Sequence, residues 1–242
     1  MYQEHSAYLE FLARRGIIIN SEDRYQHIIT DPVLSEQIPW SEINEVYRQN
    51  HLVVVDDFLA PEVAARLRDF VLYRNLKEDF YDDYAAINFY PDNRNGAWFP
   101  LLTNIVDGII QCFQPGHPLF FQRAWTFIYH NHSNGVTAHA DPAAINFNLW
   151  VTPDQCLVPG SGSNGFDIWK VMPPDHWTWQ QYNRDVGLIE TFLDQYQQQK
   201  ISIEYRFNRM VIFDSKFFHK GQPVQARDGY ENRRINYTFL FD

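Results

Sequence analysis

The segment Gly135-Val136-Thr137-Ala138-His139-Ala140-Asp141 places an imidazole and a carboxylate two residues apart. On an extended chain, residues i and i+2 point to the same side. His139 and Asp141 can therefore converge on one metal ion. A third donor must come from elsewhere, and His219, in FDSKFFHKGQPV, follows just beyond a short apolar run. Two imidazoles and one carboxylate leave coordination positions open on the metal, an arrangement suited to iron(II) that must also bind other reactants. A His-x-Asp pair alone is weak, because surface turns carry it by chance. Its weight comes from what accompanies it.

Arg234 follows His219 by fifteen residues, and Asn236 shares its face of a strand. A guanidinium beside a hydrogen-bonding amide makes a seat for a carboxylate, which Arg can grip with two parallel bonds. Arg233 and Arg227 compete for that role, and an ordinary surface arginine on an edge strand would look the same. Tyr129, ten residues before His139, has a hydroxyl that could reach the same carboxylate, or it is a core tyrosine. Asn146 and Asn148 share one face of a strand over 145–151. Amides are unfavourable in an apolar core unless bonded. If that face lines a lumen they can hold ligands or waters; if it meets solvent they carry no message.

Other candidates are weaker. His130 and His132 look like a metal pair, but no carboxylate sits with them and a Ser-Asn-Gly turn follows. His5, His27, His51, His117 and His176 read as surface or polar-core residues. Trp177 and Trp179 either cover a site mouth or pack a helix, with packing the preferred reading. The Gly160–Gly165 stretch lacks the lysine and following helix of a phosphate loop.

These residues need a scaffold. Residues 1–50 read as helical pieces broken by Pro32 and Pro39, an appendage to the main domain, with Ser41 as a helix start. The domain itself spans 51–242. His51 to Val55 is a short β-branched run. Pro61, Val63, Leu67 and Phe70 predict an amphipathic helix over 61–74, and Ile105, Ile109 and Phe113 another over 100–113. The aromatic stretch Glu78 to Trp98 is a β-hairpin or a loop over the substrate. From residue 121 the period changes to two: Phe121, Arg123, Trp125, Phe127 and Tyr129 form one face. Ile145, Phe147, Leu149 and Val151 form another, as do Ile235, Tyr237, Phe239 and Phe241 near the end. Helices first and short alternating strands after them predict an α+β fold with a jelly-roll barrel.

Composition narrows the class. The chain has 242 residues, enough for one sizeable domain, and 17% aromatics, which suit a β-rich core and a deep pocket. Its formal net charge is −10 with no basic stripe, which disfavours nucleic acid as a partner. Two cysteines outside any CxxC pair imply neither a disulfide framework nor a thiolate zinc site. No secretory pattern opens the chain and no apolar run could span a bilayer, so a soluble cytoplasmic protein without membrane partners is expected.

The runs HADPAAINFNLWVTPD, DIWKVMPPDHWTWQQYN and NRMVIFDSKFFHKGQPVQARDGYENRRINYTFLF resemble the 2-oxoglutarate/iron(II)-dependent dioxygenases of the prolyl-4-hydroxylase-like superfamily, in a poorly characterised bacterial branch. The similarity covers roughly residues 50–242. It implies a double-stranded β-helix, with His139, Asp141 and His219 as catalytic iron ligands. Arg234 would anchor the 2-oxoglutarate carboxylate, helped by Asn236 and Tyr129, and Asn148, from the polar face of its strand, is a further cofactor-binding candidate. The implied cofactors are Fe(II), 2-oxoglutarate and O2. The implied reaction is hydroxylation of a C–H bond in a small-molecule or peptidyl substrate, with release of succinate and CO2. Halogenating relatives replace the carboxylate ligand with a small residue, so the presence of Asp141 favours hydroxylation. The loop Pro159 to Gly165 departs from the shorter Ser-Gly-Gly turn of relatives, which leaves substrate choice open. Loops 78–98 and 154–165 are expected to make that choice. The alternatives are a cupin-type metal-binding barrel, which needs no carboxylate anchor, and a cupin-type dioxygenase independent of 2-oxoglutarate.

Overall fold

The computed structural model describes residues 32–73, 78–93, 97–160 and 164–242. Residues 1–31 of the expected N-terminal extension, with His5 and His27, lie outside them.

Three helices precede or interrupt the first strands. Helix α1 (Trp40–Asn50) begins one residue before the expected Ser41, behind Pro39, and closes on His51 in the left-handed region. Strand β1 (Leu52–Val55) leads into α2 (Pro61–Tyr73), and α3 (Pro100–Cys112) starts on its proline. Proline suits a first helical position because its missing N–H would have no partner there. Between α2 and α3, β2 (Asp79–Phe80) and β3 (Tyr84–Phe89) form the hairpin.

The barrel strands follow: β4 (Phe121–Tyr129), β5 (His132–Ser133), β6 (Val136–His139), β7 (Ile145–Trp150) and β8 (Phe166–Trp169). After the short helices α4 (Trp179–Asn183) and α5 (Val186–Leu193) come β9 (Lys200–Ile203), β10 (Met210–Asp214), β11 (Phe218–Gly221), β12 (Val224–Gln225) and β13 (Ile235–Phe241). A seven-stranded sheet runs β1-β10-β7-β13-β4-β3-β2, and a four-stranded sheet runs β6-β11-β8-β9. Every pairing is antiparallel.

The alternation in β7 and β13 decides which way the large sheet faces. Ile145, Phe147 and Leu149, with Ile235, Tyr237, Phe239 and Phe241, pack against α1, α2 and α3 in the main core. Burying each such side chain contributes roughly 1.5–3 kcal/mol relative to exposure. The opposite face of the same strands turns Asn146, Asn148, Asn236 and Thr238 inward, toward the small sheet. Trp150, Val211 and Phe213 of the large sheet meet Phe166, Ile168 and Ile203 of the small one in a second core. This is a double-stranded β-helix with α1, α2 and α3 on the outer face of its large sheet. Residues 32–50 contribute Val33, Leu34, Ile38, Ile43 and Tyr47 to the main core.

Phe121 does not share the face of Trp125, Phe127 and Tyr129 as the alternation suggests. The β4–β13 register shifts between Leu240, paired with Arg123, and Phe241, paired with Phe121. The extra residue, Gln122, is a bulge that reverses the face. Phe121 therefore packs on the main core while Arg123 stays on the lumen side. On the outer side of the small sheet, α5 buries Ile189 and Leu193 against Ala138, Trp169 and Phe218, with Trp177 packed beside them. No helix among the described residues is long and apolar enough to cross a membrane.

Candidate metal centre

The two short strands β6 and β11 pair so that His139 stands directly opposite His219. The chain then turns inward at Asp141, whose backbone N–H donates to Ser215 O at 2.9 Å. The Nε2 atom of His219 lies 3.5 Å from Asp141 Oδ2, and that of His139 lies 4.0 Å from Oδ1. One ligand atom from each residue falls within 4.8 Å of the others, and this is the only such His/Cys/Asp/Glu cluster among the described residues.

The protons on the two rings are fixed by their backs. His139 Nδ1 sits 2.8 Å from Thr137 O, and His219 Nδ1 sits 2.9 Å from Phe217 O. A carbonyl only accepts, so each Nδ1 carries the hydrogen. Each Nε2 then presents a lone pair toward the Asp141 carboxylate. Lone pairs facing lone pairs at this range repel unless a cation lies among them, so the three residues fit a metal ion.

Electrostatics agree. The His139 pKa is lowered to about 4, first by burial and then by the neighbouring His219, so the ring is neutral and able to ligate at pH 7. Burial alone would raise the Asp141 pKa, but the two imidazoles beside it, His219 first, favour its ionised form and hold the pKa below the usual value. Asn146 Nδ2 donates to Asp141 Oδ2 at 3.2 Å and orients it.

Beside the triad the lumen narrows between Tyr129, Asn236, Asn148 and Thr238. Arg234 immediately precedes β13 rather than lying within it, and it is 1% exposed. Its guanidinium carbon sits 4.8 Å from the Tyr129 ring centre, 5.3 Å from Tyr205 and 5.5 Å from Trp150. The Nε and Nη1 groups have no hydrogen-bond partner, and no carboxylate among the described residues pairs with the charge. Asn236 Oδ1 is also unpartnered. A buried cation with free donors is costly to keep, so it fits a carboxylate brought by a ligand. Burial raises the Tyr129 pKa, partly offset by the Arg234 charge and hydrogen bond. The phenol is thus a neutral donor.

The rivals sit elsewhere. Arg233 lies over the Tyr230 ring at 5.0 Å, and Arg227 is exposed. The Asn148 amide is engaged at both ends, donating to Thr238 Oγ1 at 3.0 Å and accepting from Trp150 Nε1 at 2.8 Å. It forms wall. His130 and His132 join no metal cluster, and His132 instead faces the exposed Asp228 at 3.5 Å. Trp177 packs, whereas Trp179 lines the mouth. Residues of the 78–98 hairpin, Tyr81, Tyr84 and Asn88, reach that mouth, while Asp154, Leu157, Val158 and Gly160 line a separate cavity. Trp150 and Tyr205 are parts of the site that sequence reasoning did not name, and Asn146 was named only as a residue able to hold ligands or waters, not as a partner of Asp141. Only Asn146 had a signal, its place on the inward face.

No protein-family model matches the sequence, and no curated protein matches it. Solved structures do. A 2OG-Fe(II) oxygenase family oxidoreductase from Burkholderia pseudomallei aligns with TM-score 0.55 at 12% identity, over 85% of this chain and 91% of that one. A Trichoplax adhaerens prolyl hydroxylase, in complex with a hypoxia inducible factor peptide fragment, aligns at 0.53 and 13% identity, over 84% and 89%. HygX from Streptomyces hygroscopicus, with nickel and 2-oxoglutarate bound, aligns at 0.54 and 9% identity, over 83% and 85%. The chain therefore has the double-stranded β-helix fold of the 2-oxoglutarate/iron(II) oxygenases, as the resemblance in its sequence implied.

Proposed function

We propose that the protein is a non-haem iron(II)- and 2-oxoglutarate-dependent oxygenase that hydroxylates a C–H bond of a small-molecule or peptidyl substrate. The observation that carries this reading is the pairing of two incomplete sites in one lumen. One is a His139-Asp141-His219 cluster whose lone pairs converge. The other is a buried Arg234 with unpartnered Nε and Nη1 groups. A purely structural metal site would have no use for the second.

His139, Asp141 and His219 would hold the iron, and a set of three protein ligands would leave room for further reactants. Thr137 O and Phe217 O fix the imidazole tautomers, and Asn146 fixes the carboxylate. Arg234 receives the far carboxylate of 2-oxoglutarate, with Tyr129 and Asn236 as further partners and Asn148 as wall. The rings of Tyr129, Trp150 and Tyr205 surround the guanidinium, shield that seat from water and strengthen the ion pair. When bound, iron(II), 2-oxoglutarate and O2 together supply C–H oxidation coupled to release of succinate and CO2. Asp141 fills the carboxylate position, which supports hydroxylation over halogenation.

The test is an anaerobic titration of the metal-free chain with iron(II) and then 2-oxoglutarate, following the weak visible charge-transfer band. The band should form, and should vanish in Arg234→Ala at matched concentrations. Iron binding without a band in the wild type would remove 2-oxoglutarate from the reading and leave a metal-binding barrel.

A further inference from the structure

A second cavity of about 280 Å³ opens outward from the metal centre, and His139 and Asp141 form its floor. Its polar lining is one-sided. Arg123 enters from β4 of the large sheet and Arg184 from the C-terminal end of α4, which packs beside β6 of the small sheet. Neither makes a salt bridge or a side-chain hydrogen bond among the described residues, and the one carboxylate that feels the Arg123 charge is Asp141 on the cavity floor. Both are nevertheless held in place by stacking, Arg123 over Trp125 at 5.2 Å and Arg184 over Trp179 at 5.1 Å. Such stacking orients a guanidinium while leaving its N–H edge free. The Trp125 Nε1 group is buried and has no partner either, so it adds a third donor.

Asp141, the one carboxylate on the lining, belongs to the triad. On the flanking segments, Asp79 accepts from Asn88, Asp83 accepts from Asn134 and Asp185 caps α5 through Leu188 N–H. Asn183 donates to Ala140 O. In a chain of net charge −10, two unpaired arginines facing one cavity are conspicuous. Aromatic planes from Tyr81, Tyr84 and Phe127 fill the rest of the wall.

We infer that this mouth selects a compact substrate bearing a carboxylate, held between Arg123 and Arg184 with its apolar body against the aromatic wall. Arg123 and Arg184 are thereby specificity-determining residues of the site. The inference rests on the oxygenase reading for what is done to the substrate, but not for its charge. Neutral and cationic analogues of the same shape leave both guanidinium groups unpaired and are rejected.

The probes are phenylacetate, benzoate and succinate, with phenylacetamide as the neutral isostere of the first. Binding is followed by ligand-observed NMR on the full chain loaded with zinc(II) and 2-oxoglutarate. Phenylacetate should bind about tenfold more tightly than phenylacetamide or better, and R123Q and R184Q should each erode that preference. Both side chains are exposed, so the variants keep the core intact. Equal binding of acid and amide, binding by none of the three acids, or a preference that survives the R123Q/R184Q double variant overturns the inference. So does a preference lost only in R234Q, which would place the probe in the co-substrate seat. Failure of the oxygenase reading is seen separately, as a missing iron(II)–2-oxoglutarate band while the acid preference persists.

Discussion

His139 and His219 are cross-strand partners in the β6–β11 ladder, with ring centroids 4.3 Å apart and ring planes inclined by 56°. Each ring is tied to the carbonyl two residues before it, so one device is used twice. The ladder itself is therefore the template for the cluster. A slip of one residue in either strand would turn one imidazole to the outer face, where Ala138 and Phe218 pack against α5.

Removing any member of the cluster should abolish metal binding without unfolding the chain. In His139→Ala, Asp141→Ala and His219→Ala, iron(II) affinity measured by competition with a chelator should fall by 100-fold or more. Asn146→Ala, which only frees the carboxylate, should cost about 10- to 100-fold. Full affinity in any of the three triad variants would show that the metal is bound elsewhere.

Arg234 should be a residue kept for function at the expense of stability. Its charge is buried and two of its N–H groups are unpartnered. Replacing a buried charge with an apolar side chain of similar length is often neutral or stabilising by about 1–4 kcal/mol. Arg234→Met should thus raise the melting temperature of the ligand-free chain by a few degrees. The same variant should lose the upward shift that 2-oxoglutarate gives the metal-loaded wild type. A destabilised variant that still responds to 2-oxoglutarate would contradict both expectations.

The His139–Asp141 pair and the scaffold were legible because each used a local rule, whereas His219 came from a distant segment that no local rule ties to them. His139 and Asp141 share a side by the period of two, and the faces of β7 and β13 differ sharply in polarity. The cage around Arg234 was not legible. Trp150 and Tyr205 stack at 5.1 Å from positions 55 residues apart, a contact set by strand register rather than by any local pattern. The bulge at Gln122 was hidden for a related reason: an extra residue in one strand is visible only against its partner. Arg184 and Trp179 reach the mouth because α4 docks beside β6, and no residue spacing encodes that docking. The α1 boundary moved by one residue, within the ordinary ambiguity of helix ends.

Acid should destabilise the metal-free protein over a defined window. The His139 pKa is lowered from 6.5 to about 4 by burial and by His219. As pH falls through 6.5 the unfolded chain takes up a proton that the folded chain refuses, so stability declines until about pH 4. The depressed Asp141 carboxylate adds to the loss at lower pH, once the unfolded carboxylate begins to protonate. Urea denaturation across this range should show the decline, and His139→Asn should flatten its upper part. A wild-type stability that is level between these limits would argue against a neutral, desolvated His139.

Gly135 should be the least replaceable residue of the β6 approach. It has φ +82°, in the left-handed region, and a Cβ added there would lie 2.2 Å from Gly221 O and 2.5 Å from Gln222 O. Backbone oxygens cannot give way as a flexible side chain can. Relief requires β6 to move off β11, and that movement separates His139 from His219. Gly135→Ala should therefore lower stability by about 1–3 kcal/mol from backbone conformation alone, with the steric clash in addition. It should also weaken metal binding although it touches no ligand. Gly160 is the control: it too has a positive φ, +71°, but an added Cβ meets nothing within 4 Å among the described residues. Gly160→Ala should show the conformational cost and no loss of metal affinity. If Gly135→Ala binds metal as tightly as Gly160→Ala, close packing of the two strands is not what holds the imidazoles together.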